Sequence, residues 1–149
     1  RGLGDVYKRQ MVDQNCAYCV EGDLVAKFGI KICELETSKV YLFKEQSHPG
    51  RCIVAHKKHV GDMNELTAEE RAAYFEDVAR VARAIMAAFH PDKVNYGAYG
   101  DTGHHLHFHL CPKYKDEFEW GGVFLMNPDK KYLTDAEYAE MIEKIKANL

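Results

Sequence analysis

The spacing of hydrophobic positions changes period several times along the chain, and each change marks an element. Positions 29–35 alternate apolar and polar side chains. Positions 39–44, an apolar run between Lys39 and Lys44, follow after a short turn around Ser38, and the two segments read as antiparallel strands. Pro49 and Gly50 interrupt the pattern before the apolar run Arg51 to Ala55, a third strand ending in His56, Lys57, Lys58 and His59. At Thr67 the period becomes helical. Thr67 and Glu70 have capping-box spacing, Tyr74, Phe75, Val78, Val81, Ala82, Ile85 and Phe89 recur on one face, and His90-Pro91 stops the helix. Positions 93–99 read as a strand, and Gly100-Asp101-Thr102-Gly103 as the turn into a last strand that Pro112 should end. Lys113 to Asn127 is polar and aromatic without a period, an irregular loop with Trp120 and Gly121-Gly122 whose aromatics are placed to cover a site. A second capping box, Thr134 and Glu137, opens a terminal helix with Tyr138, Met141, Ile142 and Ile145 on one face. Strands, helix, hairpin and helix joined by short connections predict an α+β fold: an antiparallel sheet of about five strands, one long helix and a C-terminal helix.

The last strand carries the unusual chemistry. Four of the eight histidines lie between His104 and His109, and His105, His107 and His109 alternate with Leu106, Phe108 and Leu110. On a strand this sends the three imidazoles to one face, roughly 7 Å apart, and the apolar residues to the other. The long helix is expected to cover the apolar face, leaving the histidine face to bind a ligand. His104 belongs to the turn or the core side.

Composition narrows the setting. The chain has 149 residues, 46% hydrophobic and 29% charged, with a net charge of -3, as expected for one globular domain without the basic surplus of a nucleic-acid duplex binder. No run approaches a membrane span and no signal-peptide pattern is present, so a cytoplasmic location is expected. Positions 1–10 lack periodicity and precede Met11, and read as a foreign extension to a single domain over 11–149. Five cysteines without a secretion signal argue against a disulfide framework. Cys33, Cys52 and Cys111 fit packed small hydrophobes, whereas Cys16 and Cys19 form a CxxC open to a redox, metal or incidental reading. Lys57, Lys58 and Lys113 read as solvated charges.

Several histidines on one face suit two chemistries. In a metal centre, Cys16 and Cys19 would join two imidazoles, with His59 and His105 the candidates, in a closed structural Cys2His2 set. In phosphate transfer, a neutral imidazole is a nucleophile that accepts a nucleotidyl group while a neighbouring imidazole holds phosphate oxygens or the leaving group.

The run His105 to Cys111 resembles the HxHxHxx signature of the histidine-triad (HIT) superfamily, with apolar residues at each x. The resemblance extends to the strand Cys52 to His59, to the capped long helix and to the CxxC before the first strand, about Asn15 to Pro112 in all. It implies a nucleotide hydrolase or transferase acting at the α-phosphate of purine nucleotide esters, anhydrides or phosphoramidates through a nucleotidyl-histidine intermediate. His107 would be the nucleophile, and His109 would bind phosphate and assist the leaving group. As in zinc-containing relatives, including the distant galactose-1-phosphate uridylyltransferase, Cys16, Cys19, His59 and His105 would hold a structural zinc. Glu45 matches an acidic residue on the ribose hydroxyls, and Arg51, Asp101 and Thr102 fall at nucleotide-binding positions. The chain departs from the pattern at Arg51, where the family usually has histidine, at His56, where it has proline, and in the short loop 100–103. A homodimer through the sheet edge or long helix is also implied. Two other readings remain open: a nucleotide-binding or sensing module with a structural zinc and little catalysis, and a hydrolase in which the triad ligates a catalytic metal.

Overall fold

The computed structural model describes residues 13–149, so the expected extension at 1–10 lies outside the described residues. Five strands, β1 (Gly29–Glu34), β2 (Ser38–Phe43), β3 (Cys52–His56), β4 (Lys93–Gly97) and β5 (His107–Lys113), form one antiparallel sheet ordered β1-β2-β3-β5-β4. The histidine strand therefore lies inside the sheet, between β3 and β4. Its register sets Ala55 opposite His107, Ile53 opposite His109 and Gly97 beside His109.

Two helices cover one face. The helix α3 (Ala68–Phe89) is capped by Thr67 through the expected box, and His90 ends it in a left-handed conformation at φ 54°. The helix α4 (Asp135–Ala147) carries the same device at Thr134 and Glu137. Tyr74, Val78, Val81 and Ile85 of α3, with Tyr138 and Ile145 of α4, meet Ile32, Val40, Leu42, Cys52, Val54 and Leu110 of the sheet. Burial of these side chains away from water, each contributing about 1.5–3 kcal/mol, holds helices to sheet. Asp77 of α3 accepts hydrogen bonds from the Thr37 amide, the Thr37 hydroxyl and the Ser38 hydroxyl, so the β1–β2 turn is tied to the helix through a fully occupied carboxylate oxygen.

The opposite face carries a second cluster, Tyr18, Val25, Tyr41, Phe43, Ile53 and Ala55. Here lie two one-turn helices that the pattern did not announce, α1 (Ala17–Val20) and α2 (Asp23–Ala26), with Cys16 as the N-cap of α1. A 3-10 turn at Met63–Glu65 adds to these, opened by a capping box between Asp62 and Glu65 whose spacing is visible in the chain.

Three expectations need correction. His105 precedes β5 rather than opening it, because the Leu106 amide donates to the Val60 carbonyl and draws that segment onto the loop after β3. Pro112 does not end β5. It falls beyond Leu110, the last residue of β5 paired with β3, where β4 is the neighbour and a missing N–H is tolerated. Lys113 is not solvated: the residue is 2% exposed, and its ammonium donates to the Glu119 and Gly122 carbonyls at 2.7 Å each, stapling the irregular segment to the sheet.

Candidate active site and metal centre

The loop before β5 delivers His105 to a cluster of soft donors. Its Nε2 lies 2.6 Å from the His56 carbonyl, which can only accept, so the proton sits on Nε2 and the Nδ1 lone pair faces inward. That Nδ1 is 3.3 Å from Cys16 Sγ, 3.6 Å from Cys19 Sγ and 3.1 Å from His59 Nδ1, and His59 Nδ1 is 3.3 Å from Cys19 Sγ. Bonds of about 2.0–2.1 Å to nitrogen and about 2.3 Å to sulfur at tetrahedral angles place ligand atoms roughly 3.3–3.8 Å apart. The four donors, all within 4.8 Å of one another, fit that geometry. Local structure explains the convergence: one turn of α1 brings Cys16 and Cys19 to the same side, and the loop just beyond β3 supplies His59. Burial lowers His105 to about 4, so it presents a neutral ligand at pH 7, and burial pushes the Cys19 thiol up to about 11. A bound cation would reverse that last effect and hold the thiolate.

His107 is tied in the opposite sense. Its Nδ1 donates to the His105 carbonyl at 2.6 Å, which leaves Nε2 without a proton. Tyr18 covers the ring at a centroid distance of 4.9 Å, and burial lowers the pKa, so the lone pair remains available. His109 stands edge-on to His107 at 5.4 Å. Its Nδ1 receives a hydrogen bond of 3.0 Å from Arg51, and burial together with the Arg51 charge lowers it to about 2. The expected open histidine face is thus a covered one: all three imidazoles are buried.

The other predicted residues separate. A Cβ on Gly103 would lie 3.9 Å from His107 Cε1, so the loop 100–103 passes beside His107 with Asp101 and Thr102 exposed upon it. Glu45 lies in the β2–β3 connection. Its oxygens accept from the Ser47 amide and hydroxyl and from the Lys130 and Lys131 amides at 2.7–2.9 Å. Burial alone would raise its pKa, and these hydrogen bonds draw it below the usual carboxylate value. His104 is exposed against Gly61, in keeping with a turn position.

The family model of the HIT domain matches residues 29–116. This chain belongs to the HIT domain family. Among curated proteins it is 29% identical over 123 residues to "Protein hit" of Bacillus subtilis, covering 78% of this chain and 83% of that one. It is 28% identical over 116 residues to the adenosine 5'-monophosphoramidase hnt1 of Schizosaccharomyces pombe, covering 72% and 80%. A HIT protein from Sinorhizobium meliloti superposes with a TM-score of 0.79 at 22% identity, over 86% of this chain and 95% of that one. A zinc-bound histidine triad family protein from Mycobacterium smegmatis does so at 0.62 and 23%, over 89% and 91%.

Several parts of this HIT domain's site had no periodic signal in the sequence. Phe124, from the irregular segment, lies over His109 at 6.4 Å, while His48 of the β2–β3 connection pairs with Glu119 at 2.6 Å. Of the two residues departing from the family pattern, His56 is buried against Tyr74 with its Nε2 unpartnered, and Arg51 is buried beside His109.

Burial of neutral histidines makes stability depend on pH. His56, His107 and His109 have lowered pKa values in the folded state, all chiefly through burial, while unfolded histidine titrates near 6.5. Their contribution is complete above pH 6.5 and is lost as pH falls below it, because the unfolded chain then binds protons that the fold excludes. The expected loss is about 1.4 kcal/mol per pH unit per neutral imidazole, so His109 alone accounts for about 2 kcal/mol between pH 6.5 and 5. Urea unfolding at the two pH values measures it; equal midpoints would contradict the burial.

Proposed function

We propose that the protein is a nucleotide hydrolase or transferase acting at the α-phosphate of purine nucleotide substrates, with His107 as nucleophile. The observation carrying this reading is the His107 Nδ1 hydrogen bond to the His105 carbonyl, which commits the proton to one nitrogen and leaves Nε2 free to attack. In the proposed sequence, Nε2 forms a bond to the α-phosphorus as the bond from phosphorus to the leaving group breaks, and the leaving group takes that electron pair. Water then attacks phosphorus, the N–P pair returns to Nε2, and the proton of the water passes to solvent. His109 faces the same space and supplies a hydrogen bond to phosphoryl oxygen, and Asp101 and Thr102 on the adjoining loop are the proposed phosphate neighbours. The name of the yeast relative, an adenosine 5'-monophosphoramidase, supports an adenylate as the group attacked, whatever the leaving group.

Cys16, Cys19, His59 and His105 are proposed to hold a structural zinc, which when bound would cross-link α1, the loop just beyond β3 and the approach to β5. Because the His105 carbonyl also accepts the His107 Nδ1–H hydrogen bond, the same residue anchors the cluster and orients the nucleophile. The test of the function is turnover of adenylate substrates with single-turnover trapping of a nucleotide on His107. Tight binding of a nucleoside monophosphate without turnover would instead favour a binding or sensing module.

A homodimer belongs to the same reading. Among the described residues β4 is an edge strand of the sheet, and Tyr96 and Met86 are exposed in a groove between that strand and α3 lined also by Ala79, Ala82, Arg83 and Ala87. Sedimentation should give twice the 17.0 kDa chain mass, and Tyr96→Arg should return the monomer. No helix among the described residues is long and apolar enough to cross a membrane.

A further inference from the structure

Arg51 is the largest of the fully buried side chains, and among the described residues no carboxylate pairs with it. Its guanidinium is clamped between the Phe43 ring at 4.1 Å and the Phe124 ring at 4.9 Å. One terminal nitrogen donates to the Leu125 carbonyl at 3.2 Å, and the other donates to the Met126 carbonyl at 2.8 Å and to His109 Nδ1 at 3.0 Å. The group has almost no freedom to turn away. Glu45 and Glu119 attract it only from beyond ion-pair distance, so this buried cation is held by carbonyls, aromatic faces and His109, a costly arrangement that fixes its place.

The direction of the last hydrogen bond decides what His109 can do. A guanidinium has donors and no acceptor, so His109 Nδ1 must offer its lone pair and the single proton of the neutral ring must sit on Nε2. The neighbouring ring is the mirror case, since His107 spends its proton on a carbonyl at Nδ1 and keeps Nε2 bare. The two adjacent imidazoles therefore present unlike nitrogens: an electron pair on His107 and an N–H on His109. An imidazole in the His109 state can donate a hydrogen bond to a phosphoryl oxygen. It cannot hand the proton over, because the product would be an imidazolate.

We propose that Arg51 is a positioning residue that holds His109 as an Nε2–H hydrogen-bond donor, and so restricts the site to leaving groups that depart without a proton from the protein, namely the phosphates of nucleotide anhydrides. The proposal rests on the function given above and sharpens its substrate class. In the attack by His107 the phosphorus–oxygen bond of an anhydride breaks, and the electron pair leaves on a phosphate oxygen already stable as an anion. In a phosphoramidate the pair would leave on an amine nitrogen that requires a proton to depart, and His109 held by Arg51 does not supply one. The Arg51 bonds to the Leu125 and Met126 carbonyls make the choice part of the fold, since the segment roofing His109 is built around the same guanidinium.

Two measurements test this. Nitrogen NMR of the histidine rings in the wild-type chain should show His109 with an unprotonated Nδ1 and a protonated Nε2, and in Arg51→Met that assignment should be lost while Arg51→Lys restores it in part. A proton on His109 Nδ1 in the wild type, or an unchanged tautomer in Arg51→Met, overturns the proposal whatever the protein turns over. Should Arg51→Met not fold, the wild-type spectrum and Arg51→Lys still decide. Second, kcat/KM for a dinucleoside polyphosphate should exceed that for adenosine 5'-phosphoramidate by about 100-fold or more, the size of a general-acid contribution, and Arg51→Met should shrink that ratio by about tenfold. Equal or faster turnover of the phosphoramidate by the wild type overturns the leaving-group preference. Turnover of neither substrate overturns the hydrolase reading and the preference together, while the tautomer result stands separately.

Discussion

Replacing His107 by alanine is expected to lower turnover of any adenylate substrate by at least about 10,000-fold, near 5.5 kcal/mol of transition-state stabilisation, and to eliminate the covalent nucleotide adduct. The size follows from what is removed. His107 Nε2 is the unprotonated ring nitrogen that the proposed displacement needs, and His109, the adjacent imidazole, presents an N–H instead of a lone pair. The fold should survive. The substitution deletes one hydrogen bond to the His105 carbonyl and the ring packed on Tyr18, a loss of about 1–3 kcal/mol set against the undisturbed core on the other face of the sheet. Rapid-quench kinetics with intact-mass analysis, beside a thermal melt of the same sample, checks both halves. Wild-type turnover in His107→Ala would sink the assignment.

Loss of the metal centre is expected to act on the structure first. In Cys19→Ala, stoichiometric zinc in the purified protein should disappear and Tm should fall by roughly 10 °C or more, of the order of 4 kcal/mol, because binding to the folded state alone adds directly to stability. Without the cation, four donors whose separations begin at 3.1 Å would remain crowded with nothing to share. Rate should fall in parallel with folded fraction, since His105 both faces the cluster and accepts the His107 hydrogen bond through its carbonyl. Elemental analysis and calorimetry read the two effects. Wild-type protein free of zinc, or an unchanged Tm, would refute the structural zinc; loss of rate on chelation with Tm unchanged would favour a catalytic metal.

Much of this was legible in the chain because it rests on local rules. Alternation at 29–35 and the short apolar runs at 39–44 and 51–55 marked strands, the Thr67 and Thr134 boxes marked helix starts, and the HxHxHxx run identified one strand as chemical. The failures came where distant segments compete for the same backbone groups or volume. Pro112 reads as a terminator until the absence of a β3 partner beyond Leu110 makes it harmless, and Lys113 reads as a surface charge until the Glu119 and Gly122 carbonyls enclose it. The one-turn helices near Cys16 are too short to carry a period.

Periodicity and residue type alone determined that this protein has an antiparallel sheet backed by a long capped helix, with three imidazoles on alternate positions of one segment. Tertiary structure decided which nitrogen of each imidazole does what. His105 turns its Nδ1 lone pair to Cys16, Cys19 and His59 because its Nε2–H donates to the His56 carbonyl; His107 bares Nε2 because its Nδ1–H donates to the His105 carbonyl; His109 bears a proton on Nε2 because Arg51 donates to Nδ1. A sequence specifies that an imidazole is present, but its tautomer depends on partners that only folding brings within about 3 Å.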